Sequence, residues 1–439
     1  MRKIVIVVVG AALLLAVVVI EAYYCRDHDF RVYYFAGRAA LRGGDLYTED
    51  IYPDGVGSLY RCSPAFALIF SPLSLIPQTL AAGLWTLVNI LSLVLFFAGA
   101  TYLVKRPASG FPAWLRGCAG AAWEGKIDWV ILAAVVVTAR FWLVDLRCGQ
   151  VNTFMWALTA LALVCDARDK PWPAGILLGV AASSKLFALF FGGYFILRGR
   201  WKAAVATGLT VAALWVAPAL LYGWERNIEC LRAWYDVTFI YAHLGRYFYT
   251  ATANQSLAAF FYKYCHLLGW DQTRSGLGPH AFEILSRDAA MLLVAPLFGA
   301  AYVLRRAIRR AREGLKKSGL ASLDTLIISY TALAALLISP VSWDTYFTLE
   351  FLPFAAIFKL AGGLSSRLLR TLTVAMAAVA AALNFLTGDY LGEFGIRGSQ
   401  YRLVTVGALI LCAVLIVIFV NMAATSFRRN AGGRGRLGT

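Results

Sequence analysis

One ionisable side chain, Lys185, stands at membrane depth, and one carboxylate, Asp29, stands apart in the first outer loop. Lys185 lies inside Ala-Ala-Ser-Ser-Lys-Leu-Phe-Ala-Leu, and Asp29 opens Asp-Phe-Arg-Val-Tyr-Tyr-Phe-Ala-Gly-Arg-Ala-Ala-Leu. An ionisable group at membrane depth is costly and is read first as functional. Lys185 can supply a counter-charge for an anion at the outer leaflet, or it can snorkel from a helix end. Around Asp29 the apolar residues recur at roughly helical spacing, and Arg31 and Arg38 share the helix's polar side. Asp29 therefore sits at a helix start, where a carboxylate can simply cap amides. The other carboxylates of this region, Asp27, Asp45, Glu49, Asp50 and Asp54, read as solvated loop groups.

The elements that must position these groups are membrane helices. Of 439 residues, 60% are apolar and 15% charged, where soluble chains hold roughly 45–50% and about 25%. The apolar runs are long enough to cross a hydrocarbon core of roughly 30 Å. This excludes a cytosolic enzyme, a disulfide-built secreted module and a strand-alternating outer-membrane barrel. The net charge of +17 is not a nucleic-acid footprint. It gathers in short loops, as at Arg305, Arg306, Arg309, Arg310, Arg312, Lys316 and Lys317, and in the tail at Arg428, Arg429, Arg434 and Arg436. That is the positive-inside pattern of cytoplasmic loops.

Eight cysteines show no metal-ligand spacing, and His28, His243, His266 and His280 add none, so no metal or other cofactor is expected and a metal requirement stays open. Cys118, Cys165 and Cys412 read as small buried residues in or beside spans. Cys25, Cys62, Cys148, Cys230 and Cys265 face an oxidising outer compartment, where a bridge can form.

Laid across the membrane, the chain starts with an uncleaved span over Ile4 to Glu21, N-terminus inside. A first outer loop, 23–77, ends in a short interfacial helix from Pro64 to Ile76. Gln78 to Val104 returns to the cytoplasm, and Ile127–Leu146 and Gln150–Cys165 go out and back around Arg147-Cys148-Gly149. The run Pro173 to Leu197 has basic flanks at both ends, so it is read as a hairpin of two short helices, 172–198, with its tip near Ser183-Ser184-Lys185. Spans follow near Ala203–Tyr222, Ala289–Val303, Leu323–Ile338, Phe347–Ala361, Leu372–Leu386 and Leu403–Val420. A long outer loop, 223–286, is aromatic-rich and suits amphipathic helices in the interface. The expectation is an all-α polytopic bundle of about twelve helices in the inner (plasma) membrane with both termini cytoplasmic. Residues 1–426 form one transmembrane domain, and 427–439 a disordered tail.

Asp29-Phe-x-Val-Tyr, Gly44-Asp45-Leu-Tyr, Tyr60-Arg61-Cys-Ser-Pro64, Ser71-Pro-Leu-x-Leu-x-Pro77 and Leu84-Trp85 with Asn89 resemble the opening of glycosyltransferase family 87. These are polyprenyl-phosphate-mannose-dependent enzymes of the GT-C class. The resemblance continues through Gly149-Gln150-Val151-Asn152, Gly179 to Lys185, Asn254-Gln255-Ser256-Leu257 and Ser339-Pro340-Val341-Ser342-Trp343. It implies a sugar, mannose in the family's habit, moved from a lipid-phosphate donor to a hydroxyl of a lipid-linked or envelope glycan on the outer face. It implies Asp29 as base and Lys185 at the donor phosphate. One departure concerns donor or acceptor choice: where the family has a His pair, this chain reads Asp344-Thr345-Tyr346.

Such a reaction needs little machinery. A carboxylate takes the proton of the attacking hydroxyl, and the leaving polyprenyl phosphate needs cations, Lys185 with Arg61, instead of an acid. A single displacement inverts the anomeric centre, since no second carboxylate is placed as nucleophile. Gln150, Asn152, Asn254, Gln255, Trp343 and Asp344 can bond sugar hydroxyls or stack on a pyranose; equally they can cap and anchor helices. The competing readings are a transporter or flippase for lipid-linked sugars, against which no inverted repeat is visible, and a non-catalytic subunit of an envelope-glycan complex.

Overall fold

The computed structural model describes residues 15–21, 23, 24, 26, 28–48, 51, 52, 58–240, 250–268, 299, 317–339 and 341–434. Among them there are helices and turns and no strand. In chain order the helices are α1 (Asp29–Leu41), α2 (Pro64–Phe70), α3 (Gln78–Lys105), α4 (Phe111–Trp123), α5 (Trp129–Val137), α6 (Ala139–Cys148), α7 (Asn152–Ala167), α8 (Pro171–Ser184) and α9 (Leu189–Leu197). Then come α10 (Trp201–Val216), α11 (Ala219–Tyr222), α12 (Trp224–Tyr235), α13 (Leu257–Leu267), α14 (Lys317–Ile338), α15 (Phe351–Leu360), α16 (Arg367–Phe385), α17 (Gly392–Gln400) and α18 (Leu403–Arg434).

The protein is a helical membrane protein, with fewer full-length crossings among the described residues than the expected count of about twelve. Among the described residues four helices are long and apolar enough to cross: Gln78–Lys105, Trp201–Tyr222, Arg367–Phe385 and Leu403–Met422; the pair α5 and α6, bent by 57°, is apolar enough to count as a fifth if it forms one span. The break falls at Thr138, whose hydroxyl donates back to the Ala134 carbonyl (2.9 Å), a bond that bends helices. Asn152–Ala167, Leu186–Leu197 and Ser322–Ile338 are apolar but short. At 1.5 Å per residue, 17 residues rise only about 26 Å. Phe347–Ala361 divides into a tight turn, Asp344–Glu350, and α15. The expected span over 289–303 apart from residue 299, most of the first span and most of the basic loop lie outside the described residues. The backbone helix α18 continues past 426 to Arg434.

The chain forms two compact units. The first comprises residues 1–97, 141–192 and 201–242. Its core is aromatic: Tyr33 of α1 packs against Phe66, Phe70 and Trp85, and the Phe70 and Trp85 rings meet edge to face at 4.9 Å. The start of α2 is fixed by Ser63, whose hydroxyl accepts from Phe66 N–H, with Pro64 in the first turn. Gly37 lets α1 approach the next turn so closely that a Cβ there would meet Ser74 Oγ at 2.2 Å. Along α12 the buried residues Asn227, Cys230 and Trp234 recur at helical spacing, while Trp224, Ile228 and Tyr235 are exposed.

Within the same unit, α8 and α10 lie side by side. A Cβ at Gly175 would stand 2.4 Å from the Ala203 carbonyl, and one at Gly179 would stand 2.5 Å from Thr210 Cβ. Both numbers of each pair rise together, so the two helices run parallel. The intervening chain, 185–200, must return to the level at which α8 began.

The second unit comprises residues 98–140, 193–200 and 243–439. Among its described residues Arg140 pairs with Asp344 (2.7 Å) and Arg198 with Asp324 (2.8 Å), both arginines being buried. Glu350, fully buried, accepts from Asn384 Nδ2 of α16 (2.6 Å).

Candidate active site

The site in the first unit is built outward from a helix end. Helix α6 stops where Gly149 takes φ of +64°, the left-handed conformation that favours glycine. Gln150 N–H bonds the Asp145 carbonyl and Gly149 N–H the Leu146 carbonyl, both at 3.0 Å, the Schellman pairing. Trp85 of α3 donates its indole N–H to the Gly149 carbonyl (2.8 Å), holding the turn from outside. This brings Gln150, and then Asn152 in the first turn of α7, to fixed places. Opposite them α8 ends at Ser184, and Lys185 follows in extended backbone. The Ser63 hydroxyl donates to the Ser183 carbonyl (2.5 Å) and ties that end to the start of α2.

Four of the expected residues meet here. Gln150 Nε2 donates to Asp29 Oδ2. Gln150 Oε1 accepts from Lys185 Nζ and from the Tyr33 hydroxyl, each at 3.4 Å. Lys185 Nζ also donates to Asn152 Oδ1 (2.8 Å). The carboxylate of Asp29 is thus held by a side chain, and no backbone amide of α1 bonds it, which removes the capping reading. Asp29, Gln150 and Lys185 are partly exposed, whereas Asn152 is fully buried.

Electrostatics couples the two charged groups. Burial pushes the Asp29 carboxyl above its ordinary range, while the nearby Lys185 and His28 charges, the bond from Gln150 and the Arg61 charge pull it back. Arg61 is exposed and acts on Asp29 through its charge, while its backbone carbonyl accepts from Trp234 Nε1 (3.2 Å). The Cys62 thiol, buried in the same region, is pushed up to about 12 and stays protonated.

Asp145 is the residue the sequence reading passed over. It is fully buried, and its two oxygens accept from Asn152 Nδ2 (2.6 Å) and Thr153 N–H (3.0 Å). Those bonds turn the Asn152 carbonyl oxygen toward Lys185. The signal was present: an acid inside the apolar run Ile127–Leu146 meets the criterion that selected Lys185.

The other four expected residues belong to the second unit. Asn254 Oδ1 accepts from Ser256 N–H (3.1 Å) and Ser342 N–H (2.9 Å), and its backbone pairs with Trp343. Gln255 Nε2 donates to the Thr252 and Ser399 carbonyls at 2.7 and 2.9 Å. Both amides are buried and bind loops together, with Arg402 adding bonds to the carbonyls of Ala251, Thr252 and Asn254. Asp344 pairs with Arg140, another charged residue the sequence reading did not select. Trp343 is half-buried.

Cys62, Cys118, Cys165, Cys230, Cys265 and Cys412 are free thiols, and no bridge forms among the described outer cysteines. Cys118 is exposed instead of buried, and Cys25 lies outside the described residues. Among the described residues no three His, Cys, Asp or Glu side chains gather to hold a metal ion.

In the first unit, then, an apolar helical scaffold holds a carboxylate and a lysine joined through one amide. Residues 62–340 match the model of glycosyltransferase family 87, and the chain belongs to that family. Asp29 lies before the matched region. The chain is 28% identical over 330 residues to a polyprenol-phosphate-mannose-dependent alpha-(1-2)-phosphatidylinositol mannoside mannosyltransferase of Mycolicibacterium smegmatis, covering 72% of this chain and 66% of that protein. A protein of the same description from Mycobacterium tuberculosis is 25% identical over 343 residues, covering 76% and 70%. A third, described as a pentamannoside mannosyltransferase of Mycobacterium tuberculosis, is 27% identical over 319 residues, covering 71% and 61%. The chain thus spans about two thirds of the length of the curated relatives it matches.

Proposed function

We propose that the protein transfers mannose from a polyprenyl-phosphate donor to a hydroxyl of a glycolipid of the phosphatidylinositol mannoside type. The acceptor oxygen attacks the anomeric carbon, its proton passes to Asp29, and the anomeric carbon–oxygen bond to phosphate breaks. Lys185, with Arg61, takes up the charge of the leaving polyprenyl phosphate. One displacement inverts the anomeric centre. Gln150 and Asn152 position the two charged groups and offer bonds to sugar hydroxyls. Trp343 and Asp344 are the second unit's candidates for the sugar, with Asn254 and Gln255 shaping the loop that carries them.

The observation that carries the reading is the continuous bond path Asp29–Gln150–Lys185, which keeps a base and an anion-binding cation in one place. The reading also holds the site to be on the outer face, the termini to be cytoplasmic and the full bundle to be of the GT-C kind. The parallel run of α8 and α10 supports a returning hairpin with Lys185 at its tip.

Incubation of the purified protein with radiolabelled polyprenyl-phosphate mannose and phosphatidylinositol mannosides is expected to give labelled glycolipid and free polyprenyl phosphate in equal amounts. Movement of intact donor between leaflets of a vesicle, without release of polyprenyl phosphate, would replace this reading with transport.

A further inference from the structure

Helix α1 carries a second functional side. Asp29 and Arg38 are nine residues apart, two and a half turns at 3.6 residues per turn, so they project to opposite sides of the helix. On the side away from Asp29, Arg38 and Arg42 stand one turn apart beside a concavity of about 390 Å³. Its apolar lining comes from Phe35, Ala39 and Ile51.

Nothing among the described residues neutralises the two arginines of this concavity. Among the described residues Arg38 and Arg42 make no ion pair; Arg38 lies over the Tyr34 ring at 6.0 Å. Asp45, the carboxylate at the same concavity, is paired with Arg226 at 2.5 Å, and Arg226 also holds Glu229 at 2.9 Å. The backbone amides of Arg42, Gly43 and Gly44 all bond carbonyls of α1, so an anion here would be held by side chains. Arg31, further back on the same stripe, is engaged over the Phe35 and Tyr52 rings at 5.5 and 5.4 Å. Leu41, between the two arginines, is 46% exposed.

We propose that this face binds the phosphodiester headgroup of an anionic membrane phospholipid and anchors the first helix of the loop to the membrane surface. Two guanidinium groups one turn apart suit a phosphodiester. The apolar lining and exposed Leu41 suit the glycerol and upper acyl segments, which a free phosphate lacks. The headgroup held here is not at the reacting hydroxyl, because Asp29 faces the other way. The proposal rests on the reading above only for the side of the membrane, since binding needs no sugar transfer.

The test measures binding of short-chain (dioctanoyl) phosphatidylglycerol, short-chain phosphatidylcholine and inorganic phosphate to the purified full-length protein. Phosphatidylglycerol should bind at least about tenfold more tightly than phosphatidylcholine, and Arg38→Gln with Arg42→Gln should weaken it about ten- to a hundredfold. Affinity should fall as salt rises. Polyprenyl-phosphate binding should not change in these variants. Should the double variant fail to fold, Arg42→Gln alone carries the test, because Arg42 is exposed. Equal binding of the two lipids, unchanged affinity in the variants, or inorganic phosphate binding as tightly as phosphatidylglycerol would each overturn the proposal. Loss of transfer in Asp29→Asn, or its persistence, would leave the lipid measurement intact.

Discussion

As the proposed base Asp29 must be ionised to take a proton, yet its burial opposes ionisation, and Lys185, His28, Gln150 and Arg61 work against that burial. Asp29→Asn keeps the shape and can still accept from Gln150 while removing the basic oxygen. Transfer should fall at least about a hundredfold, with donor binding retained; Asp27→Asn and Asp45→Asn should keep most activity. Normal transfer by Asp29→Asn would show the base to be elsewhere. Because the carboxyl is raised, the acid limb of the rate profile should lie above the ordinary aspartate range, activity falling as pH drops through it. Stability runs the other way: the folded chain holds this proton more tightly than the unfolded one, so the carboxyl's contribution to stability declines as pH rises through the shifted range. Asp29→Asn should lack that dependence. Lys185→Ala should weaken polyprenyl-phosphate binding about ten- to a hundredfold, the loss of one charge-assisted bond. Unchanged affinity would leave Lys185 a snorkelling residue.

At the scale of elements, the site depends on how closely α8 meets α10. Gly175 faces the Ala203 carbonyl and the Ala206 methyl, so even one added carbon has no room. Gly175→Ala should force the helices apart and cost about 1–3 kcal/mol, as overpacking does. The shift would be read as a lowered thermal midpoint in detergent, together with weaker donor binding, because Lys185 follows directly on α8. Gly192→Ala, where an added carbon meets nothing within 4 Å, is the matched control. Equal midpoints for the two variants would mean that the close approach does not hold the hairpin.

For the whole molecule, the parallel register makes a statement about sides. Lys170 and Lys202 precede or begin helices that start at one level, while Trp201–Tyr222 is long enough to carry the chain across. With native cysteines replaced by serine, Lys170→Cys and Lys202→Cys should both be shielded from an impermeant thiol reagent in intact cells. Glu225→Cys should react. Opposite behaviour at 170 and 202 would turn the hairpin into a single crossing and remove Lys185 from the outer face.

What the chain determined locally was readable because local signals have local causes. Apolar runs set the membrane class, the basic flanks of Pro173–Leu197 required a return, and the periodicity after Asp29 placed a helix start where α1 begins. The break at Lys185 was legible for the same reason: a charge interrupts an apolar run at a cost paid on the spot. Partner choice was not legible. Gln150 reaches Asp29 across 121 positions, and Asn152 is turned by Asp145, whose place in an apolar run was visible but whose partner was not. Asn254 and Gln255 read as sugar contacts, yet packing spends their amides on neighbouring backbone. The Thr138 break and the short rise of Asn152–Ala167 likewise depend on bonds and lengths that hydropathy alone does not resolve. Periodicity and the cost of buried charge act within a few residues, whereas hydrogen-bond partners are assigned by which helices the tertiary structure brings together.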